Sequence, residues 1–288
     1  MARILIAGCG YLGCELARRL AGEGHTVFGL RREVPDLDAG FEWIAGDLGQ
    51  PDALAAALPG EIDFAVHAAA PRLAAGASAE DVTRGVYLDG LSNLLRALTR
   101  SGSQPRRVFF VSSTSVYGQK RGEWVDEASP THPTRKTGEI LLLAEKLLAA
   151  ADVPGSSLRL GGLYGPGRTR LVENVRSGRA SIPAGEPHYT NRIHRDDAAR
   201  TIAHLIALDA PAPLYLGVDC EPAAEEAVFG WLAQRLEVAP PTRARRDESA
   251  SPRRAGSKRC RNALLLESGF TFEYPSFREG YAALLGEA

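Results

Sequence analysis

The chain lacks a large net charge of either sign. Its 34 Lys and Arg against 35 Asp and Glu leave −1 over 288 residues. So even a balance gives no electrostatic case for a nucleic-acid or membrane surface. Cysteine is scarce: Cys9, Cys14, Cys220 and Cys260 are the whole set. Their spacing fits no zinc pattern, so no metal is expected, and they read as free thiols of a reducing compartment. Long apolar runs are missing too. The start, MARILIAGCG, holds one arginine and a short apolar stretch that ends in glycines. That is too short for a signal peptide or a membrane span, and a cytoplasmic protein is expected. There is no internal repeat and no low-complexity tract. What remains is ordinary globular composition, 44% hydrophobic and 24% charged, long enough for one large domain or a large one with a small companion.

Strand and helix signals alternate through about the first 160 residues. Arg3–Ala7 is an apolar run that stops at glycine, as a strand buried on both faces does. Tyr11–Ala21 has apolar residues at helical spacing, with Gly22 and Gly24 as stop signals. Strands are expected at His25–Leu30, Phe41–Ala45, Ile62–His67, Arg107–Ser112 and Ser156–Leu160, and helices at Thr83–Arg100 and Gly138–Ala151. This rhythm predicts an α/β fold, a Rossmann-type doubly wound parallel sheet. Beyond it lie a Gly/Pro/Arg-rich stretch, a helix at Arg195–Asp209, a strand at Leu214–Gly217 and a helix at Ala223–Leu236. Residues 1–160, rejoined by 192–209, are expected to form the core. Residues 161–191 and 210–288 are expected to form a small C-terminal α/β cap. The basic residues of 239–261 (Arg243, Arg245, Arg246, Arg253, Arg254, Lys258, Arg259, Arg261) read mostly as a solvated, mobile loop.

Gly8-Cys9-Gly10-Tyr11-Leu12-Gly13 is G-x-G-x-x-G between a strand and a helix, the setting that this pattern requires. The glycines permit a tight turn and a close backbone approach to a pyrophosphate, and the helix N-terminus offers free N–H groups to it. An NAD site would place an acidic residue at the end of the second strand. Here Arg31 and Arg32 stand there, and guanidinium groups suit a 2′-phosphate, so NADP is preferred to NAD. Asp47 and Leu48, after the third strand, are candidates for the adenine.

These pieces resemble the extended short-chain dehydrogenase/reductases of the NAD-dependent epimerase/dehydratase type. The resemblance runs through the glycine loop, Gly46-Asp47-Leu48, His67-Ala68-Ala69-Ala70, Ser112-Ser-Thr-Ser-Val-Tyr-Gly118, Arg159 with Leu163-Tyr-Gly-Pro-Gly167, and His194-Arg-Asp-Asp197. It implies that Ala68, Ala69 and Ala70 border the cofactor. It also implies a catalytic Ser/Thr at Ser113, followed by a Tyr and, four residues later, a Lys. Aligned through Gly138 and Glu145, those two positions hold Thr137 and Leu141. A threonine hydroxyl is a far weaker acid than a phenol, and leucine cannot bind a ribose. The chain therefore resembles an atypical branch without the Tyr-x-x-x-Lys pair. That branch ends in tails like Lys258–Asn262, Gly269–Pro275 and Arg278–Tyr281. The family's helix asparagine falls on Tyr87. Arg135 or Lys136, and the phenols Tyr117 and Tyr164, are the candidates to fill the gap.

Asp196 or Asp197 is expected to cap the following helix, with His194 as a structural hydrogen-bonder. Relatives acting on nucleotide sugars grip a diphosphate with basic cap residues, and they dimerise through the helices that correspond here to 83–100 and 137–151. Two functions follow. One is an NAD(P)-dependent oxidoreductase or epimerase-like enzyme with a rearranged acid/base, acting on a small carbonyl, hydroxyl or nucleotide-sugar substrate. The other is an NADP(H)-binding sensor or scaffold without turnover.

Overall fold

The apolar runs become strands because their side chains are covered on both faces. Ile4, Leu5 and Ile6 are all fully enclosed. The computed structural model describes residues 1–36, 39–73, 76–182, 185–243 and 256–286. In chain order the strands are β1 (Arg3–Ala7), β2 (Thr26–Arg31), β3 (Glu42–Ala45), β4 (Phe64–His67), β5 (Arg107–Ser113), β6 (Glu123–Val125), β7 (Gly155–Leu160), β8 (Gly162–Tyr164), β9 (Tyr189–Thr190), β10 (Arg192–His194), β11 (Leu214–Gly217), β12 (Ala223–Ala224) and β13 (Lys258–Cys260). The helices are α1 (Tyr11–Gly22), α2 (Pro51–Ala57), α3 (Ala79–Arg84), α4 (Gly90–Arg100), α5 (Lys136–Ala149), α6 (Arg170–Arg176), α7 (Arg195–Ala207), α8 (Glu225–Arg235), α9 (Ala263–Glu267) and α10 (Phe277–Leu285).

Seven strands form the main sheet in the order β11-β7-β5-β4-β1-β2-β3. From β5 to β3 every pairing is parallel. The reversal of strand order between β1 and β4 is that of the doubly wound Rossmann fold, whose ligands bind at the carboxyl ends beside it.

The chain divides into two compact units. The first comprises Met1–Ser113, Lys136–Arg159 and Ala198–Tyr215; the second comprises Thr114–Arg135, Leu160–Asp197 and Leu216–Ala288. In the second, short strand pairs (β8 with β10, β9 with β12, β6 with β13) accompany a small core in which Val228, Leu232, Phe277 and Tyr281 are buried.

Three expectations need correction. The helix expected at Thr83–Arg100 starts earlier, at Ala79, because the Ser78 side chain caps it by accepting from the Asp81 N–H. It is also not uniformly α-helical: Gly85–Asp89 forms one π-helical turn. The helix expected from Ala223 starts at Glu225, since Ala223 and Ala224 pair instead with Thr190 and Tyr189. The basic segment is not simply a loop. Lys258–Cys260 forms a strand beside β6, Lys258 is buried, and the Arg259 guanidinium lies 4.9 Å from both the Trp124 and Tyr189 rings. Arg245, Arg246, Arg253 and Arg254 lie outside the described residues.

Candidate active site

β1 delivers the chain into the glycine loop. Gly8 has φ +90, and a Cβ there would lie 2.2 Å from the Ala69 backbone. A Cβ on Gly13 would lie 2.7 Å from the Gly8 carbonyl oxygen. Gly10 is different, since a Cβ there would meet nothing closer than 3.9 Å, so its outer side is open. α1 begins at Tyr11 without a side-chain cap, and the N–H groups of a helix's first turn suit an external acceptor. Leu12 and Gly13 are buried under the turn, and Tyr11 is half-buried.

The other loops at this edge close around it. The Ala68 N–H donates to the Ala7 carbonyl at 2.8 Å; Ala69 packs on Gly8, and Ala70 is exposed. Arg31 ends β2 half-buried, its guanidinium 5.9 Å from the Trp43 ring, and Arg32 is exposed. After β3, the Asp47 carboxylate accepts the Gly49 N–H at 2.9 Å, and the Leu48 carbonyl accepts from Asn93 at 2.8 Å. A glycine turn too tight for side chains, an uncapped helix start and a cation at the β2 end fit a dinucleotide pyrophosphate and its adenosine half.

Ser113 is the last residue of β5, and a tight 3₁₀ turn, Thr114–Val116, follows it. Its neighbour Ser112 donates to Glu145 at 2.5 Å. Glu145 also accepts from Arg159 at 3.1 and 2.7 Å. This buried ion pair ties β5, α5 and β7 together and sets the rotation of α5. Leu141, one turn before Glu145, is 1% exposed. Thr137, one turn further back, lies exposed in the first turn. Lys136 is exposed, and its ammonium pairs with Glu139 at 2.8 Å. The Tyr117 phenol is buried and donates to the Asp126 carbonyl at 2.7 Å.

Tyr87 sits in the π-helical turn, which packs against α5. Its ring meets Phe110 of β5 edge-on at 6.2 Å, and burial raises its phenol above the ordinary value. Phe110 belongs to β5, so Tyr87 is a phenol held beside both elements that carry the aligned positions. π turns inside α-helices recur at functional sites.

In the second unit, α6 and the β8 and β10 strands border a cavity of about 860 Å³. Arg168, Arg170, Arg179 and Arg192 line it, with Asn174 and Asn191. Tyr164 and Tyr281 also line it, both buried, with their rings 4.7 Å apart. Asp219 is buried nearby, and burial pushes its carboxyl up to about 8 against the opposing pull of Arg192. His194 is enclosed and stacks 4.0 Å from Tyr274. Its Nδ1 accepts the Asp196 N–H at 3.3 Å, so the ring itself receives a helix-start donor. Burial lowers its pKa, keeping it neutral. The Asp197 carboxylate accepts the Glu273 and Tyr274 N–H groups at 2.9 and 2.8 Å, pinning the tail to α7.

The sequence model of the NAD dependent epimerase/dehydratase family matches residues 4–211. The chain belongs to this family. Its members define the enzyme class, NAD(P)-dependent oxidoreductase and epimerase-like. Escherichia coli protein YeeZ is 29% identical over 96% of this chain and 97% of its own. A Methylobacillus flagellatus protein described as of the NAD-dependent epimerase/dehydratase type is 39% identical, with a TM-score of 0.81 over 99% of this chain and 98% of its own. The human epimerase family protein SDR39U1, solved with NADPH, has the same fold, with a TM-score of 0.81 at 18% identity over 99% of this chain and 100% of its own.

Within this family member, sequence reasoning named the glycine loop, the β2 arginines and Ser113. It did not find the arginine-lined cavity, because Arg168, Arg170, Arg179 and Arg192 read only as composition until β8, α6 and β10 bring them together. Nor did it give Tyr87 a role. The signal was its coincidence with the family's helix asparagine, but a π turn leaves no periodicity to read.

Proposed function

We propose that the chain is an NADP-preferring reductase or epimerase-like enzyme that acts on an anionic carbonyl or hydroxyl substrate, with Tyr87 as its proton donor. The observation that carries this is Tyr87 itself, a half-buried phenol on a π turn between α5 and β5. Leu141 gives no cation to draw a proton off a phenol, and burial acts the same way on Tyr87. A phenol so held stays neutral through physiological pH, and it works as an acid rather than a base. Ser113 donates a hydrogen bond to the same substrate oxygen. That pairing favours reduction, in which an oxygen gains negative charge and then a proton.

Gly8, Gly10 and Gly13 with the start of α1 hold the pyrophosphate, Arg31 and Arg32 hold a 2′-phosphate, and Asp47 and Leu48 border the adenine. The bound nicotinamide supplies the hydride. Within the second unit, Arg168, Arg170, Arg179 and Arg192 suit a carboxylate or phosphate, since guanidinium groups pair with both through two parallel hydrogen bonds. We place the reaction in the cytoplasm, in keeping with four free cysteines. We also propose a homodimer through α4 and α5, where Leu143 is exposed.

The test is NADPH consumption by the purified chain across anionic aldehydes, ketones and keto nucleotide sugars. Turnover that falls in Tyr87→Phe and Ser113→Ala, with NADPH affinity kept, supports the reading. Full turnover in Tyr87→Phe removes Tyr87 as the donor.

A further inference from the structure

Cys9 fills the first variable position of the glycine loop, and Cys14 lies in the first turn of α1. Their sulfurs are 3.6 Å apart. Cys9 is buried, and Cys14 is partly open to solvent. When protonated, Cys14 donates to the Cys9 carbonyl at 3.1 Å. The Cys9 thiol, then Arg18 and Arg31, favour negative charge on Cys14, and they lower its pKa to about 7 against burial. Cys9 moves the other way, held protonated by its hydrogen bond to Cys14 and by burial. One thiol is therefore an accessible nucleophile near neutral pH, and the other is a protonated partner in contact with it.

We propose that Cys9 and Cys14 are a peroxide-sensitive dithiol that closes to a disulfide inside the glycine loop. The Cys14 thiolate attacks one oxygen of hydrogen peroxide. The O–O bond breaks, a sulfenic acid forms on Cys14, and the departing hydroxide takes up the proton that Cys14 released on ionising and leaves as water. The Cys9 sulfur then attacks the Cys14 sulfur. The S–S bond forms, the S–O bond breaks, and the hydroxyl leaves as water with the Cys9 proton. In sum, two thiols give up two electrons and two protons, and one peroxide becomes two waters. A dithiol reductant reverses the bond by exchange.

The closure is not neutral for the loop. A disulfide needs about 2.05 Å between sulfurs, so these two must approach by roughly 1.5 Å. Cys9 has little freedom, because its sulfur lies against β2, 2.9 Å from where a Cβ on Gly29 would stand. Gly8 is pressed on Ala69. The movement falls on residues 10–14, which carry the N–H groups facing the pyrophosphate. This step rests on the dinucleotide reading given above. Oxidation is then expected to weaken NADPH binding by about tenfold or more, the worth of one charge-assisted hydrogen bond.

The experiment treats the reduced full chain with increasing hydrogen peroxide, alkylates the remaining thiols and maps tryptic peptides by mass. Both cysteines fall in the single peptide Ile4–Arg18. The expected product is that peptide short of two hydrogens and unalkylated, formed before Cys220 gains oxygen, since burial raises the Cys220 pKa. Cys9→Ser, or Cys9→Ala if the serine misfolds, leaves a Cys14 sulfenic acid that a dimedone-type reagent traps. Cys14→Ser leaves Cys9 alkylatable. If both thiols of the unaltered chain still alkylate at peroxide levels that oxidise Cys220, the proposal is wrong. NADPH affinity of the oxidised and re-reduced chain is measured alongside. A disulfide that forms without changing that affinity keeps the modification site and overturns its link to the dinucleotide.

Discussion

Asp219→Asn separates the cost of a buried carboxylate from the shape of the side chain. Asp219 is 2% exposed. One carboxyl oxygen accepts the Glu221 N–H at 3.3 Å, and the other is enclosed without a hydrogen-bond partner among the described residues. Burial holds its pKa near 8, whereas an unfolded aspartate ionises at about 4. Between these two values the folded chain keeps a proton that the unfolded chain has lost. Stability therefore falls as pH rises, by about 1.4 kcal/mol per unit from this group alone, and levels off above the folded value. Asparagine has nearly the same shape and no charge at any pH. In urea unfolding, the variant and the parent should agree near pH 4. The variant should be the more stable by a few kcal/mol at pH 8, with most of the pH slope gone. The cavity gives a second readout. Arg192 lines it and also pulls on Asp219, so anion binding should weaken above about pH 8 in the parent and not in the variant. Parallel stability–pH curves for the two proteins would refute the reasoning, since Asp219 would then be ionised in the fold at no cost.

Other expectations are simpler. Gly8→Ala forces a Cβ to 2.2 Å from the Ala69 backbone at a φ of +90; dinucleotide binding should be lost in calorimetry, at a stability cost of about 1–2 kcal/mol from the left-handed backbone. Arg31→Ala should weaken NADPH by tenfold or more, the worth of one charge-assisted contact of about 1.5 kcal/mol, and leave NADH nearly unchanged. Equal losses for both would show that no 2′-phosphate is read there. Glu145→Leu leaves Arg159 buried without its counter-charge, and chemical denaturation should register a loss of about 3–5 kcal/mol. If the phenol of Tyr87 is the acid, turnover should stay level on the alkaline side past the range where a lysine-assisted phenol would have ionised. A pH–rate profile checks this, because burial raises that pKa.

The parts of this molecule that sequence displays are those set by local chemistry. β1 is legible because a strand covered on both faces must be almost wholly apolar, and the glycine loop is legible because only glycine tolerates its backbone. Arg31 and Arg32 follow from position, one strand after that loop. The π turn at Gly85–Asp89 is different. It depends on how the helix meets α5, and its residues carry no periodicity of their own. The strand at Lys258–Cys260 hid for a related reason. A basic tripeptide reads as solvated until Trp124 and Tyr189 supply faces for Arg259. The arginine cavity is assembled from β8, α6 and β10, and no single stretch of sequence contains it. The Ser112–Glu145–Arg159 tie is likewise a matter of packing, though each member had been visible in the family pattern.

Catalysis in this chain turns on whether a phenol outside the usual position gives the proton. The deciding measurement is single-turnover NADPH oxidation with the best substrate of the anionic panel, comparing the parent with Tyr87→Phe at equal cofactor occupancy. The expected result is a drop of about a hundredfold or more in the chemical step, the low end for removing a general acid, with unchanged NADPH affinity. An undiminished rate in the variant, or no oxidation by the parent with any member of the panel, would contradict it.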